Sequence, residues 1–218
     1  MATFKPFRAL RPQVNLAKEV ASRPYDVLDS QEASIEAQGN PNSFLHVIKP
    51  EIDLPPEVGQ YDEKVYAKGL ENLKKFQEER ILIKDNKACF YVYRLTMDGR
   101  RQTGIVGCCS CHEYYDGTIK KHELTRVEKE DDRAKHVEIQ NANAEPVFFS
   151  YRGKQVINEI IDAITSGNSI YDFTADDGVR HELWLVQDDS LIQAINFNFA
   201  GIDSLYVADG HHLSLIHI

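Results

Sequence analysis

Two strand-like runs, 89–96 (CFYVYRLT) and 102–114 (QTGIVGCCSCHEY), are joined across Met97-Asp98-Gly99-Arg100. Asp-Gly tolerates the positive φ angles of a tight two-residue turn, so the runs are predicted to pair antiparallel. A second such signal, Asp176-Asp177-Gly178, separates strand-like residues 171–174 from 179–186. Hairpins of this kind exclude a chain built only from parallel βαβ units. The expected fold class is therefore α+β: a mixed sheet with hairpins and flanking helices, forming a single domain over residues 1–212.

The remaining elements follow from periodicity and punctuation. Strands are expected at 3–7, 43–49 (SFLHVIK), 146–151 and 204–208, and helices at 14–21, 154–165 and 190–197. Residues 24–27 (PYDV) read as extended. Ser30 is the expected N-cap of a helix reaching Gln38, and 51–59 reads as a loop. The longest helical pattern covers 61–83, with Val65, Gly69, Leu73 and Phe76 on its buried face and Tyr66 and Leu70 beside it. Tyr91, Tyr93, Phe148 and Phe149 read as strand core.

Of the 218 residues, 42% are hydrophobic, and no apolar run approaches a membrane span. The N-terminal MATFKPFRAL lacks the apolar core of a signal peptide, so the cytoplasm is expected. A formal charge of −9 argues against nucleic-acid and anionic-membrane partners while leaving room for a local phosphate pocket. Three of the four cysteines lie in Cys108-Cys109-Ser110-Cys111. Residues three apart on a strand point to opposite faces, which favours buried structural cysteines over a metal or redox pair.

Residues 116–136 (DGTIKKHELTRVEKEDDRAKH) concentrate the ionisable chemistry. Wound as a helix from His122, the segment places His122, Arg126, Lys129, Arg133 and His136 on one face. Leu124, Val127, Ala134 and Val137 fall opposite, on the face expected to be buried. The stripe is either a solvated surface crossed by ion pairs or an anion site suited to phosphate. Near the C-terminus, Ala208-Asp209-Gly210-His211-His212 follows a predicted strand. Its glycine would let backbone amides approach an anion, and Asp209 could carry a metal or orient a histidine. The competing reading is a turn that happens to hold two histidines.

Together these segments resemble the prokaryotic family called domain of unknown function 1015. The resemblance is carried by KPFRALRP (5–12), PYDV (24–27), NPNSFLHVIKPEIDLP (40–55), HELTR (122–126), KEDDR (129–133) and ADGHH (208–212). The family's last motif looks like ADGHHR, which is similar to the phosphate-binding motif of ParB-like and sulfiredoxin-like proteins, a group that includes kinases of free serine. The resemblance thus implies a partly ParB/sulfiredoxin-like fold. It also implies a small-molecule phosphotransferase using ATP or ADP with Mg2+ and a small hydroxyl substrate such as L-serine. A non-catalytic nucleotide- or phosphate-binding regulatory module is the alternative.

Under that reading His122, Arg126, Lys129, Arg133, Gly210, His211 and His212 hold phosphate or nucleotide. Glu123 is the expected base, or else only a favourable first-turn acid, and Asp209 is the other carboxylate. Tyr25 and Asp26 contact substrate or merely form a rigid turn. Leu213 stands where the motif has arginine. The last six residues, LSLIHI (213–218), match the translation of a transposon-end adaptor used in sequencing libraries. They are expected to be foreign to the fold and loosely packed.

Overall fold

A computed structural model describes residues 2–123 and 125–215, with Leu215 described in its backbone alone. Leu124 and residues 216–218 lie outside the described residues, and with them the expectations for their packing. The helices are α1 (Ala17–Val20), α2 (Ser30–Ala37), α3 (Leu45–Ile48), α4 (Glu63–Glu78), α5 (His112–Tyr115), α6 (Val127–Gln140), α7 (Gln155–Thr165), α8 (Asp189–Ala200) and α9 (His211–Leu215). The strands are β1 (Phe4–Lys5), β2 (Leu10–Pro12), β3 (Leu82–Lys84), β4 (Phe90–Met97), β5 (Arg100–Val106), β6 (Cys108–Cys109), β7 (Ile119–Lys120), β8 (Phe148–Ser150), β9 (Tyr171–Thr174), β10 (Arg180–Val186) and β11 (Leu205–Asp209). Short sheets with flanking helices make this an α+β fold. The chain forms two compact units, each assembled from separated segments.

The first unit comprises residues 1–14, 84–122 and 149–208. Its main sheet has the order β5-β4-β10-β9, all neighbours antiparallel. Both expected hairpins are present. Asp98 and Gly99 take φ of 50° and 77°, the two consecutive positive values that a tight β4–β5 turn needs. Phe4 stacks against Phe90 and Phe199, with ring centroids 5.0 and 4.3 Å away. The expected strand over 102–114 breaks at Gly107, where a side chain would sit 2.6 Å from the Phe4 ring. Beyond it lie the short β6 and α5. Cys108 and Cys111 are exposed, so the expectation that they are buried structural cysteines is corrected; Cys89 is the buried one. Tyr91 is core, whereas Phe148 is exposed, contrary to expectation.

The second unit comprises residues 15–83, 123–148 and 209–218. Asp29, one residue before the expected cap, starts α2 through a capping box with Glu32. The expected strand over 43–49 is instead the site of α3, Leu45–Ile48. Leu45 and Ile48 both enter a core with Leu28, Ala33 and Ala37, and residues three apart share a side only in a helix. Residues 24–27 are likewise not extended, since Tyr25–Val27 make a 3-10 turn. In α4, Val65, Tyr66, Gly69, Leu73 and Phe76 are buried as the periodicity predicts. That helix ends at Glu78, well short of residue 83, and Arg80 turns the chain with φ of 58°. Gly69 allows α6 to approach closely: a Cβ there would lie 2.6 Å from Gln140 Nε2, which donates to Val47 O at 3.0 Å.

Candidate functional site

The charged helix starts at Val127, not near His122. Arg126 is extended at φ −95°, ψ 123°, and the acids Glu128 and Glu130 occupy the first turn, where the helix dipole favours them. The helix closes at Asn141, whose φ of 49° is left-handed. Its buried residues are Arg133, His136 and Gln140. Val127, expected to be buried, is 68% exposed. The residues that turn inward are therefore Arg133 and His136 of the cationic stripe, while Arg126 stays exposed, and the assignment of Val127 to the buried face is corrected.

Burial of Arg133 is possible because its charge is answered on the spot. Its Nε and Nη2 both donate to Oδ2 of Asp132, at 2.8 and 2.6 Å. Glu145 lies 3.9 Å from Nη1, and the guanidinium carbon sits 4.1 Å over the Tyr25 ring. The other oxygen of Asp132 accepts from the Tyr66 hydroxyl at 3.0 Å. Oε1 of Glu145 accepts from the Tyr25 backbone N–H at 3.0 Å. Burial, partly offset by that hydrogen bond and by Arg133, pushes the Glu145 carboxyl up to about 7. Burial, with Arg133 and Lys49 nearby, pushes His136 down to about 3, so its imidazole is neutral at pH 7.

Of these residues, Tyr25, Asp132, Arg133 and His136 line a groove of about 290 Å³. Asp26, Ser30, Lys49, Glu51, Tyr61 and Lys129 line it as well. Lys49 pairs with Glu51 at 3.1 Å, and Ser30 Oγ donates to the same Glu51 oxygen at 2.9 Å. Lys129 has no ion-pair partner among the described residues.

The second expected constellation also gathers in this unit. The Arg126 backbone N–H donates to His212 Nε2 at 3.2 Å, although 86 residues separate them. Nδ1 of the buried His211 lies 3.7 Å from Oε2 of Glu123. His212 is held below the usual histidine range by burial first and by Lys129 second. Gly210 supplies the turn with φ of 77°, and Oδ1 of the exposed Asp209 accepts from its N–H at 2.8 Å. HELTR and ADGHH therefore meet through Glu123, Arg126, His211 and His212.

His122 is exposed, ahead of the helix, and belongs to the first unit. Leu213, with Arg133 and His136, lines a separate cavity of about 20 Å³, and Ser214 is buried. Those two residues depart from the loosely packed tail expected from the sequence.

Sequence reasoning missed Lys49, Glu51, Asp132 and Glu145 as site residues. Lys49 and Glu51 stand inside the NPNSFLHVIKPEIDLP segment, which was a usable signal. Nothing local marked Glu145.

A family model described as "Protein of unknown function (DUF1015)" matches residues 4–214, nearly the whole chain, and the chain belongs to that family. No curated protein and no solved structure matches it. Among the described residues, no helix is long and apolar enough to cross a membrane.

Proposed function

We propose that the second unit binds a nucleotide phosphate at Arg126, Lys129 and His212, and transfers a phosphoryl group to the hydroxyl of a small molecule such as free L-serine. In that step the acceptor oxygen bonds to the terminal phosphorus as the bridging P–O bond breaks. The shortened nucleotide leaves, and the hydroxyl proton passes to a carboxylate. Glu123 is the base in this reading and Asp209 the second carboxylate. Both offer the oxygen donors that Mg2+ takes. Gly210 and His211 shape the turn that presents His212, and Tyr25 and Asp26 line the acceptor groove.

The observation that supports this most is the hydrogen bond from the Arg126 backbone N–H to His212, whose ring also feels the positive charges of Lys129 and Arg126; Lys129 has no ion pair among the described residues. Phosphate supplies the charge that such a corner lacks. One observation favours the non-catalytic alternative: Glu123 is 61% exposed in its side chain, a poor setting for a base.

Binding of Mg·ATP and Mg·ADP by calorimetry, with phosphate transfer to L-serine followed by phosphorus NMR, tests both readings. The assay is run on this chain and on its Leu213→Arg variant. The expected result is binding that weakens with salt and falls at least about tenfold in Arg126→Ala and in Lys129→Ala, the loss of one charge-assisted contact. Binding without transfer in either chain selects the regulatory module. Absence of nucleotide binding in both chains would sink the two readings together.

A further inference from the structure

The groove takes Ile48, Lys49 and Glu51 from one stretch of chain, and His46 and Asp53 stand just outside the two ends of that stretch. The two meet: Nδ1 of His46 is 2.8 Å from Asp53 Oδ1. The other ring nitrogen, Nε2, is 3.1 Å from the Asn40 carbonyl oxygen. Both ring nitrogens therefore face acceptors. A neutral imidazole carries one N–H and can serve only one of them, whereas the imidazolium serves both. The side chain is 18% exposed, so its proton exchanges with solvent without unfolding.

The surroundings agree with that count. The hydrogen bond with Asp53 holds the imidazole above its ordinary range, against burial and the positive charge of Lys75 on α4. Lys68, also on α4, acts on Asp53. From the α2 side the ring meets the Asn40 carbonyl. Asn72 of α4 donates through Nδ2 to both His46 O and Asp53 Oδ2, each at 2.7 Å, and so braces both ends of the stretch. Between them the backbone bonds are few: Lys49 N–H to Leu45 O at 2.8 Å, Ile52 N–H to Lys49 O at 3.2 Å, and Leu54 N–H to Glu51 O at 3.1 Å. Losing the His46 proton removes one of its two ties and takes the charge from the other. The stability it gives is complete below the unfolded value of 6.5 and is lost as pH rises through the raised folded value.

We propose that His46 is a pH-operated clasp on the groove: protonated, it ties Asn40 to Asp53 and holds the wall at residues 48–51 in place, and neutral, it releases one tie and slackens that wall. His46 is a positioning residue here, acting through Lys49 and Glu51. The groove keeps its shape in mildly acidic solution and loosens as pH rises through the His46 transition. This goes beyond the phosphotransfer reading, which gives the groove an occupant but no control, and it depends on no ligand.

Two measurements across neutral pH, both without ligand, test it. NMR of the imidazole ring is expected to show His46 titrating above 6.5, and Asp53→Asn should bring it to that value or below. Amide hydrogen exchange at Lys49, Ile52 and Leu54, corrected for the intrinsic pH dependence of exchange, is expected to lose about tenfold protection across the same transition, the effect of one charge-assisted hydrogen bond. Amides of β4, in the first unit, should show no such step. His46→Gln is neutral at every pH, so its exchange should match the high-pH wild type throughout. Glu145, pushed up to about 7, titrates in the same range, but it does so in both proteins, so the difference between them belongs to His46. The proposal is overturned if wild-type His46 titrates at or below 6.5, if the three amides keep their protection through its transition, or if the step persists in His46→Gln. The first two outcomes need no variant to fold. Assays of nucleotide binding and phosphate transfer read none of them, so each idea can fail alone.

Discussion

Replacing Asp132 by alanine tests whether α6 buries its charged face for the reason given above. In the folded second unit the side chains of Arg133 and Asp132 are 9% and 10% exposed. The aspartate accepts two hydrogen bonds from the guanidinium and one from Tyr66. Its removal leaves a buried cation and a tyrosine hydroxyl without their acceptor. Losing one partner of a buried pair costs about 3–5 kcal/mol. Glu145, already 3.9 Å from the guanidinium, offsets part of that by ionising more fully. The net loss is expected near the lower figure, about 3 kcal/mol, or roughly 6–12 °C in Tm for a chain of this length. Urea denaturation followed by circular dichroism and by differential scanning calorimetry reads it directly. Asp132→Asn, which retains one acceptor, should lose less. A change below about 0.5 kcal/mol in Asp132→Ala would show that Arg133 is solvated and that the charged face is not buried.

Two further outcomes follow from the same helix. Val127→Asp, on an exposed position in a helical first turn, should change stability by less than about 0.5 kcal/mol in the same denaturation assay, whereas a loss of several would restore the apolar face read from the sequence. The pH dependence of stability should show two opposing contributions. His136, depressed to about 3, contributes stability that is complete above its unfolded value of 6.5 and is lost as pH falls toward 3. Glu145, raised to about 7, contributes stability that is complete below its unfolded value of 4.5 and is lost as pH rises through 7. The two slopes oppose each other between 4.5 and 6.5, so His136→Phe should expose a decline of stability with rising pH, and Glu145→Gln should remove it; denaturation midpoints from pH 4 to 8 check both.

The sequence alone determined what depends on near neighbours. Asp98-Gly99 reads as a hairpin because only the dihedral preferences of those residues decide the turn, and the structure has it. The buried face of α4 is legible because Val65, Gly69, Leu73 and Phe76 repeat at helical spacing without a rival stripe. Membership of the family is legible too, from short motifs spread over nearly the whole chain. Tertiary structure alone decided which face of α6 is buried. Two faces competed there, and Arg133 of the cationic one goes inside because Tyr25 and Glu145, 120 residues apart in sequence, meet at its guanidinium. The apparent strand over 43–49 gives way to α3 for the same kind of reason, since the core that receives Leu45 and Ile48 is built by α2. Charge pairing and core placement are sums over neighbours brought together by folding, and no window of the sequence contains those neighbours.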